Sequence, residues 1–163
     1  NFTARLAALL AAHPDVNPRY LEIEVLETSA LYDISQVSET MKECQELGIR
    51  FALDDFGTGY SSLTHLRRLP VYLIKVDQSF VRDMLEDADD LSIVKGVVSL
   101  AKAFQREVIA EGVETIAHGA ALLQLGCELA QGYGIARPMP AGDIPEWILS
   151  WKADDSWKIS SFA

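Results

Sequence analysis

Phe51-Ala-Leu-Asp-Asp-Phe-Gly-Thr-Gly-Tyr-Ser-Ser62 is the stretch on which the reading of this chain turns. It begins as a short apolar segment of the kind that forms a buried strand. Asp54 and Asp55 follow, and then a loop with glycines at 57 and 59. An unpaired carboxylate is costly to bury, so two of them at a strand end must face solvent or converge on something positive. A divalent cation is the natural candidate, because hard cations take carboxylate oxygens. Taken alone, an Asp-Asp pair before a glycine loop is more often a turn with solvated acids. Here the pattern repeats.

Four other apolar runs end in polar residues of catalytic type. Leu21-Glu-Ile-Glu24-Val-Leu-Glu27 supplies glutamates, and Tyr72-Leu-Ile-Lys75-Val-Asp77 a lysine. Val108-Ile-Ala-Glu111-Gly-Val-Glu114 supplies two more glutamates, and Glu128-Leu-Ala-Gln131-Gly-Tyr133 a glutamine. Helical spacing fills the intervals. Val37, Met41, Cys44 and Leu47 recur at steps of four and three, and Gly48 is placed to end that helix. Ile93, Val94, Val97, Val98, Ala101 and Phe104 make a broad apolar stripe; Leu122 and Leu125, stopped by Gly126, make a shorter one. Strand and helix therefore alternate five times, which implies an α/β fold with a parallel sheet and helices packed outside it. In a parallel β/α barrel, functional residues gather at the C-terminal ends of the strands. Each of these five runs delivers an acid, a base or an amide there.

The chain has 163 residues, of which 49% are hydrophobic, enough for one domain with a sizeable core. A formal charge of -10 argues against a surface for DNA or RNA, which needs a basic patch. It leaves room for a phosphorylated small molecule if cations stand between acids and phosphates. Cys44 and Cys127 fall in packed, helix-flanking contexts far apart in sequence, so a reducing, cytoplasmic compartment is expected. No apolar run approaches the roughly 20 residues that span a bilayer, and no signal peptide is visible.

Several of these blocks carry a resemblance. Leu21-Glu-Ile-Glu-Val-Leu-Glu27, Ala52-Leu-Asp-Asp-Phe-Gly-Thr-Gly-Tyr-Ser-Ser-Leu63, Leu73-Ile-Lys-Val-Asp77, Ala110-Glu-Gly-Val-Glu114, Gln131-Gly-Tyr133 and Arg137-Pro-Met-Pro140 resemble the EAL-domain family in order and spacing, from about residue 2 to 150. The resemblance implies a TIM-like β/α barrel and a cyclic di-GMP phosphodiesterase that uses Mg²⁺ or Mn²⁺ to open the cyclic dinucleotide to linear pGpG. It also implies roles. Glu24 resembles a first-cation ligand, Asp54 the carboxylate shared between two cations, and Asp55 a second-cation ligand. Lys75 resembles the lysine that holds the attacking water. Glu111 resembles a second-cation ligand that has also been assigned as general base. Glu114 and Gln131 match outer positions near water and substrate, and Glu27 the residue that braces the glycine loop, with Ser61 its expected partner. By the same resemblance, a homodimer and an upstream sensor or cyclase domain are expected, in bacterial second-messenger signalling.

Two departures accompany the matches. The Glu-Ala-Leu motif that names the family is absent from this chain, as is the asparagine of the following strand. Asn1 precedes an amphipathic run of Phe2, Leu6, Leu9 and Leu10 and so lies beyond that strand. The expectation is a partial barrel over residues 1–151, corresponding to strands 4–8 of the parent, followed by a polar tail or linker over 152–163. The first three strands, with two first-cation ligands, are then expected upstream. An inactive cyclic di-GMP receptor or a regulatory interaction domain is the alternative reading. The second departure is Leu26, where the family commonly has threonine.

The remaining singular residues have structural readings. His13, His65 and His118 show no ligand spacing and read as surface or capping groups. Arg67-Arg68 reads as a solvated helix face, with phosphate contact the alternative. Asp77 reads as a structural bond or an edge of the site. Trp147 and Trp151 read as packing residues of a helix opened by an Asp143–Glu146 capping box.

Overall fold

The computed structural model describes residues 1–30, 33–58 and 63–157. Five strands, β1 (Glu22–Leu26), β2 (Arg50–Phe56), β3 (Leu73–Val76), β4 (Glu107–Ala110) and β5 (Leu129–Ala130), form one parallel sheet in chain order. Parallel neighbours need crossovers, and helices supply them. These are α3 (Ile34–Glu46), α4 (Leu63–Arg68), α5 (Gln78–Asp83) with α6 (Ala88–Ala103), and α7 (Ile116–Leu125). A helix α1 (Phe2–Ala12) precedes the sheet, a single turn α2 (Glu27–Ala30) follows β1, and α8 (Ile144–Ser150) follows β5. The alternation read from the sequence is present, as five β/α units of a TIM-like barrel.

Burial follows position in the sheet. All four residues of β3 are buried, whereas β1 alternates exposed Glu22, Glu24 and Leu26 with half-buried Ile23 and Val25. Among the described residues β1 and β5 each have one strand neighbour, so both sheet edges are open. The core lies under β2 and β3, where Phe51, Leu53, Ile74 and Val76 meet Met41 and Cys44 of α3 and Val94, Val98 and Ala101 of α6. Truncating a fully buried leucine such as Leu53 to alanine costs about 2–5 kcal/mol.

Helix ends are set by local chemistry. Asp33 caps α3 through Gln36 N, Asp87 caps α6 through Asp89 N, and Thr115 caps α7 through His118 N. Gly48, at φ +93°, turns the chain out of α3 in a conformation that disfavours any side chain. One expected cap does not form: the Asp143 side chain makes no capping bond to α8, whose second residue is proline. Pro145 fixes the first turn and offers no N–H, which removes one reason for a capping box. Ile93, read as part of the apolar stripe of α6, is exposed at the rim of that helix.

Within the stretch read as a polar tail or linker, residues 152–156 are exposed and Trp157 is half-buried. Asp155–Trp157 forms a 3₁₀ turn, and Trp157 Nε1 donates to the Ile116 carbonyl at 2.8 Å. Its ring stands 6.5 Å from that of Trp151, which is 5.8 Å from that of Trp147. Gly119 of α7 makes this contact possible, because a Cβ there would fall 2.4 Å from the Trp157 ring.

Candidate functional site

Lys75 is the one charged residue of β3, and its side chain is only 7% exposed. A cation in that position needs partners, and three acids supply them. Lys75 Nζ lies 2.7 Å from Glu24 Oε1, 2.8 Å from Glu111 Oε1 and 3.0 Å from Asp54 Oδ1. These groups come from β1, from the residue after β4 and from β2, so four neighbouring strands converge on one nitrogen. Burial acts to lower the lysine pKa, but hydrogen bonds to Glu111, Glu24 and Asp54 outweigh it and hold the ammonium above its ordinary value. Lys75 is therefore charged at any physiological pH.

Adjacent residues of a strand normally point to opposite faces. Asp54 and Asp55 depart from that rule because the β2–β3 register shifts between Leu53 and Phe56, and Asp55 adopts φ +55°. Aspartate tolerates this left-handed region better than most residues with a side chain. The Asp55 N–H donates to Asp54 Oδ1 at 3.1 Å. As a result, one oxygen from each of Asp54, Asp55 and Glu111 lies within 4.8 Å of the other two. Burial raises the Asp55 pKa, and the negative charges of Asp54 and Asp77 add to the rise against the pull of Lys75. Carboxylates crowded in this way fit a hard divalent cation, whose charge relieves their repulsion. Glu24 belongs to the group less directly: its side chain is 49% exposed and reaches the other acids through Lys75.

Glu27 opens α2 and is 1% exposed. Its Oε2 accepts a hydrogen bond from Gly57 N at 3.0 Å, tying the glycine loop to the end of β1. Glu27 Oε1 is buried with no partner among the described residues. Ser61, its expected partner, lies outside them. Leu26, the last residue of β1, is exposed.

Two sequence candidates do not enter the cluster. Glu114 is exposed and lies outside the three-acid group, and the Gln131 side chain is exposed beyond β5. The backbone of Gln131 carries on the sheet: its N–H donates to Ala110 O at 2.8 Å, and its carbonyl accepts from Val113 N at 3.0 Å. Asp77, left open in the sequence, does two things. It caps α5 through Ser79 N at 2.8 Å, and its negative charge acts to raise the Asp55 pKa. His118, read as a surface or capping group, is instead buried. Its Nδ1 lies 2.9 Å from Thr115 Oγ1 and its Nε2 3.0 Å from the Arg82 carbonyl. Nothing local in the sequence marks it, since the Arg82 partner is 36 residues away.

Comparison with known proteins agrees with this fold. The family model described as "EAL domain" matches residues 1–138. Over 135 residues the chain is 41% identical to the cyclic di-GMP phosphodiesterase NbdA of Pseudomonas aeruginosa, covering 83% of this chain and 17% of NbdA. It is similar to the PaMucR phosphodiesterase solved in complex with c-di-GMP. The TM-score is 0.81 at 38% identity, over 85% of this chain and 56% of that one. It is also similar to BlrP1 of Klebsiella pneumoniae, solved as a calcium and cyclic di-GMP complex. There the TM-score is 0.75 at 35% identity, over 83% of this chain and 34% of that one. The chain thus spans less than two thirds of these relatives. It belongs to the EAL-domain family.

Proposed function

We propose that this chain carries the catalytic acids and lysine of a divalent-cation-dependent cyclic di-GMP phosphodiesterase that releases linear pGpG, acting in bacterial second-messenger signalling in the cytoplasm. The observation that carries this reading is the Asp54–Asp55–Glu111 oxygen group beside the Lys75 ammonium. Its support from outside the chain is the likeness to the cyclic di-GMP phosphodiesterase NbdA and to PaMucR in complex with c-di-GMP.

Asp54, Asp55 and Glu111 would hold Mg²⁺ or Mn²⁺, with Glu24 and two upstream ligands completing the first position. Bound there, such a cation supplies charge neutralisation for a phosphodiester and acidifies water near neutral pH. The chain's own groups do the rest. The acids, in a protein of formal charge -10, repel an anionic dinucleotide until they are neutralised, which makes hydrolysis cation-dependent. Lys75, whose three ammonium hydrogens face Glu24, Asp54 and Glu111, would exchange one of those bonds for the attacking water once cations neutralise the acids, and keeps a positive charge near the phosphorane-like transition state. The water oxygen joins phosphorus, the bond to the leaving ribose oxygen breaks, and that oxygen takes up a proton. Glu111 would act as cation ligand or as general base, competing descriptions of one residue, since a carboxylate bound to a cation is a poor free base. Glu114 and Gln131 act from outside the acid group, on water and substrate. Glu27, through Gly57 and with Ser61, holds the glycine loop over the end of β2.

Separate calorimetric titrations of the protein with Mn²⁺ and with cyclic di-GMP, followed by chromatography of the mixture, test the reading. Binding of both with appearance of pGpG supports it. Binding of the dinucleotide without turnover in Mn²⁺ makes the domain a receptor instead. Binding of neither leaves an interaction domain.

A further inference from the structure

The acids of the site sit on two separate segments, the end of strand β2 and the start of a loop. Asp54 and Asp55 end β2, whereas Glu111 begins the 111–115 segment between β4 and α7. A cation held by all three requires a fixed spacing between those segments, and α5 lies between them. Asp77, at the N-cap of α5, bears on Asp55 on one side through its negative charge. On the other side the 111–118 segment lies along α5 at two points. Gly112, at φ +73°, passes so close to the start of α5 that a Cβ would fall 2.7 Å from Gln78 Cβ. His118 reaches the other end of α5, with Nε2 3.0 Å from the Arg82 carbonyl.

A carbonyl oxygen only accepts, so Nε2 carries the hydrogen in this bond. In the neutral imidazole Nδ1 is then an acceptor, and the Thr115 hydroxyl 2.9 Å away donates to it. The same Thr115 oxygen accepts from His118 N at 3.3 Å, which caps α7. His118 is 6% exposed, and both its ring nitrogens are engaged by groups other than the acids of the site. It therefore fastens the loop bearing Glu111 to the helix whose cap bears on Asp55.

We propose that His118 is a positioning residue of the cation site: through Thr115 and the Arg82 carbonyl it sets the spacing of Glu111 from the Asp54–Asp55 pair. The inference rests on the cation reading given above. It adds a residue that is neither ligand nor substrate contact. Groups that orient ligands from behind typically change metal affinity about 10–100-fold when removed. His118 acts one bond further back, so the low end applies.

The test is Mn²⁺ binding alone, followed by electron paramagnetic resonance on the purified protein well below its unfolding temperature. His118→Phe keeps the volume and removes both ring bonds, and is expected to weaken Mn²⁺ binding about tenfold. His118→Gln keeps a donor for the Arg82 carbonyl and is expected to bind close to the unsubstituted protein. Thr115→Val is expected to weaken binding in the same direction and to be non-additive with His118→Phe, because the two act through one contact. Unchanged Mn²⁺ affinity in a folded His118→Phe or Thr115→Val variant overturns the inference and makes His118 a core residue only. Absence of Mn²⁺ binding by the unsubstituted protein overturns the cation reading itself, and the inference with it.

Discussion

Lys75 Nζ lies 2.8 Å from Glu111 Oε1, and the two residues come from neighbouring strands whose register pairs Lys75 with Ile109. The contact crosses the sheet one pair beyond the last strand bond, Val76 with Ala110. Lys75 is what allows Glu24, Asp54 and Glu111 to approach one another without a cation. Lys75→Met in metal-free buffer is therefore expected to lose about 2 kcal/mol, below the 3–5 typical of a fully buried pair because Glu24 is half exposed. Added Mn²⁺ is expected to recover part of it. The lysine pKa is raised, so its stabilisation is fully present below the ordinary lysine value and fades only as pH rises through the raised one. Urea unfolding should give a constant difference between the two proteins from about pH 6 to 9.

Glu27 holds Gly57 N by a bond that solvent does not reach. Glu27→Ala leaves that N–H without its acceptor and opens a void, at a cost of about 2 kcal/mol. Hydrogen exchange at Gly57 is expected to accelerate by more than the global loss of stability explains. Equal acceleration throughout the sheet would show that the bond does not brace the loop locally.

Gly119 and Trp157 give a prediction whose sign reverses. Gly119→Ala forces the Trp157 ring away and is expected to destabilise by about 1–2 kcal/mol. In a Trp157→Ala background the ring is gone, and the same change is expected to stabilise α7 by about 1 kcal/mol, the ordinary gain of alanine over glycine in a helix. Thermal melts of the four proteins check it, and additivity of the two changes would contradict the packing described.

Cys127 is buried, and burial pushes its thiol up to about 11 from an ordinary 9.0. The neutral thiol is favoured in the fold, so its contribution is complete below about pH 9 and is lost as pH climbs towards 11. In a Cys44→Ala background, Cys127 is expected to resist a disulfide reagent at pH 8 until denaturant is added. Rapid labelling of the native protein would contradict its burial.

The fold was readable because strand runs with catalytic-type ends alternate with helices stopped by Gly48 and Gly126, both local signals. Most of the candidate site was readable for the same reason: Glu24, Asp54, Lys75 and Glu111 stand in or just after the C-terminal halves of successive strands, within two register positions of one another, and parallel pairing brings them together. What composition could not give is contact between distant segments. Trp157 meets Ile116 across 41 residues and His118 meets Arg82 across 36. Neither partner carries a pattern, since both are backbone carbonyls. The bulge that turns Asp54 and Asp55 to one side is likewise a property of the β2–β3 pairing, not of either residue alone.

In the function proposed above, the Asp54–Asp55–Glu111 group holds the cations on which cyclic di-GMP hydrolysis depends. The most direct measurement is pGpG formation from cyclic di-GMP in Mn²⁺ by the protein and by Glu111→Gln, with EDTA as control. The expected result is turnover by the unsubstituted protein alone, abolished by EDTA, with Glu111→Gln folded and at least a hundredfold slower, on the order of the loss when a positioned catalytic group is removed. Turnover that survives EDTA, or that Glu111→Gln performs at the unsubstituted rate, would contradict it.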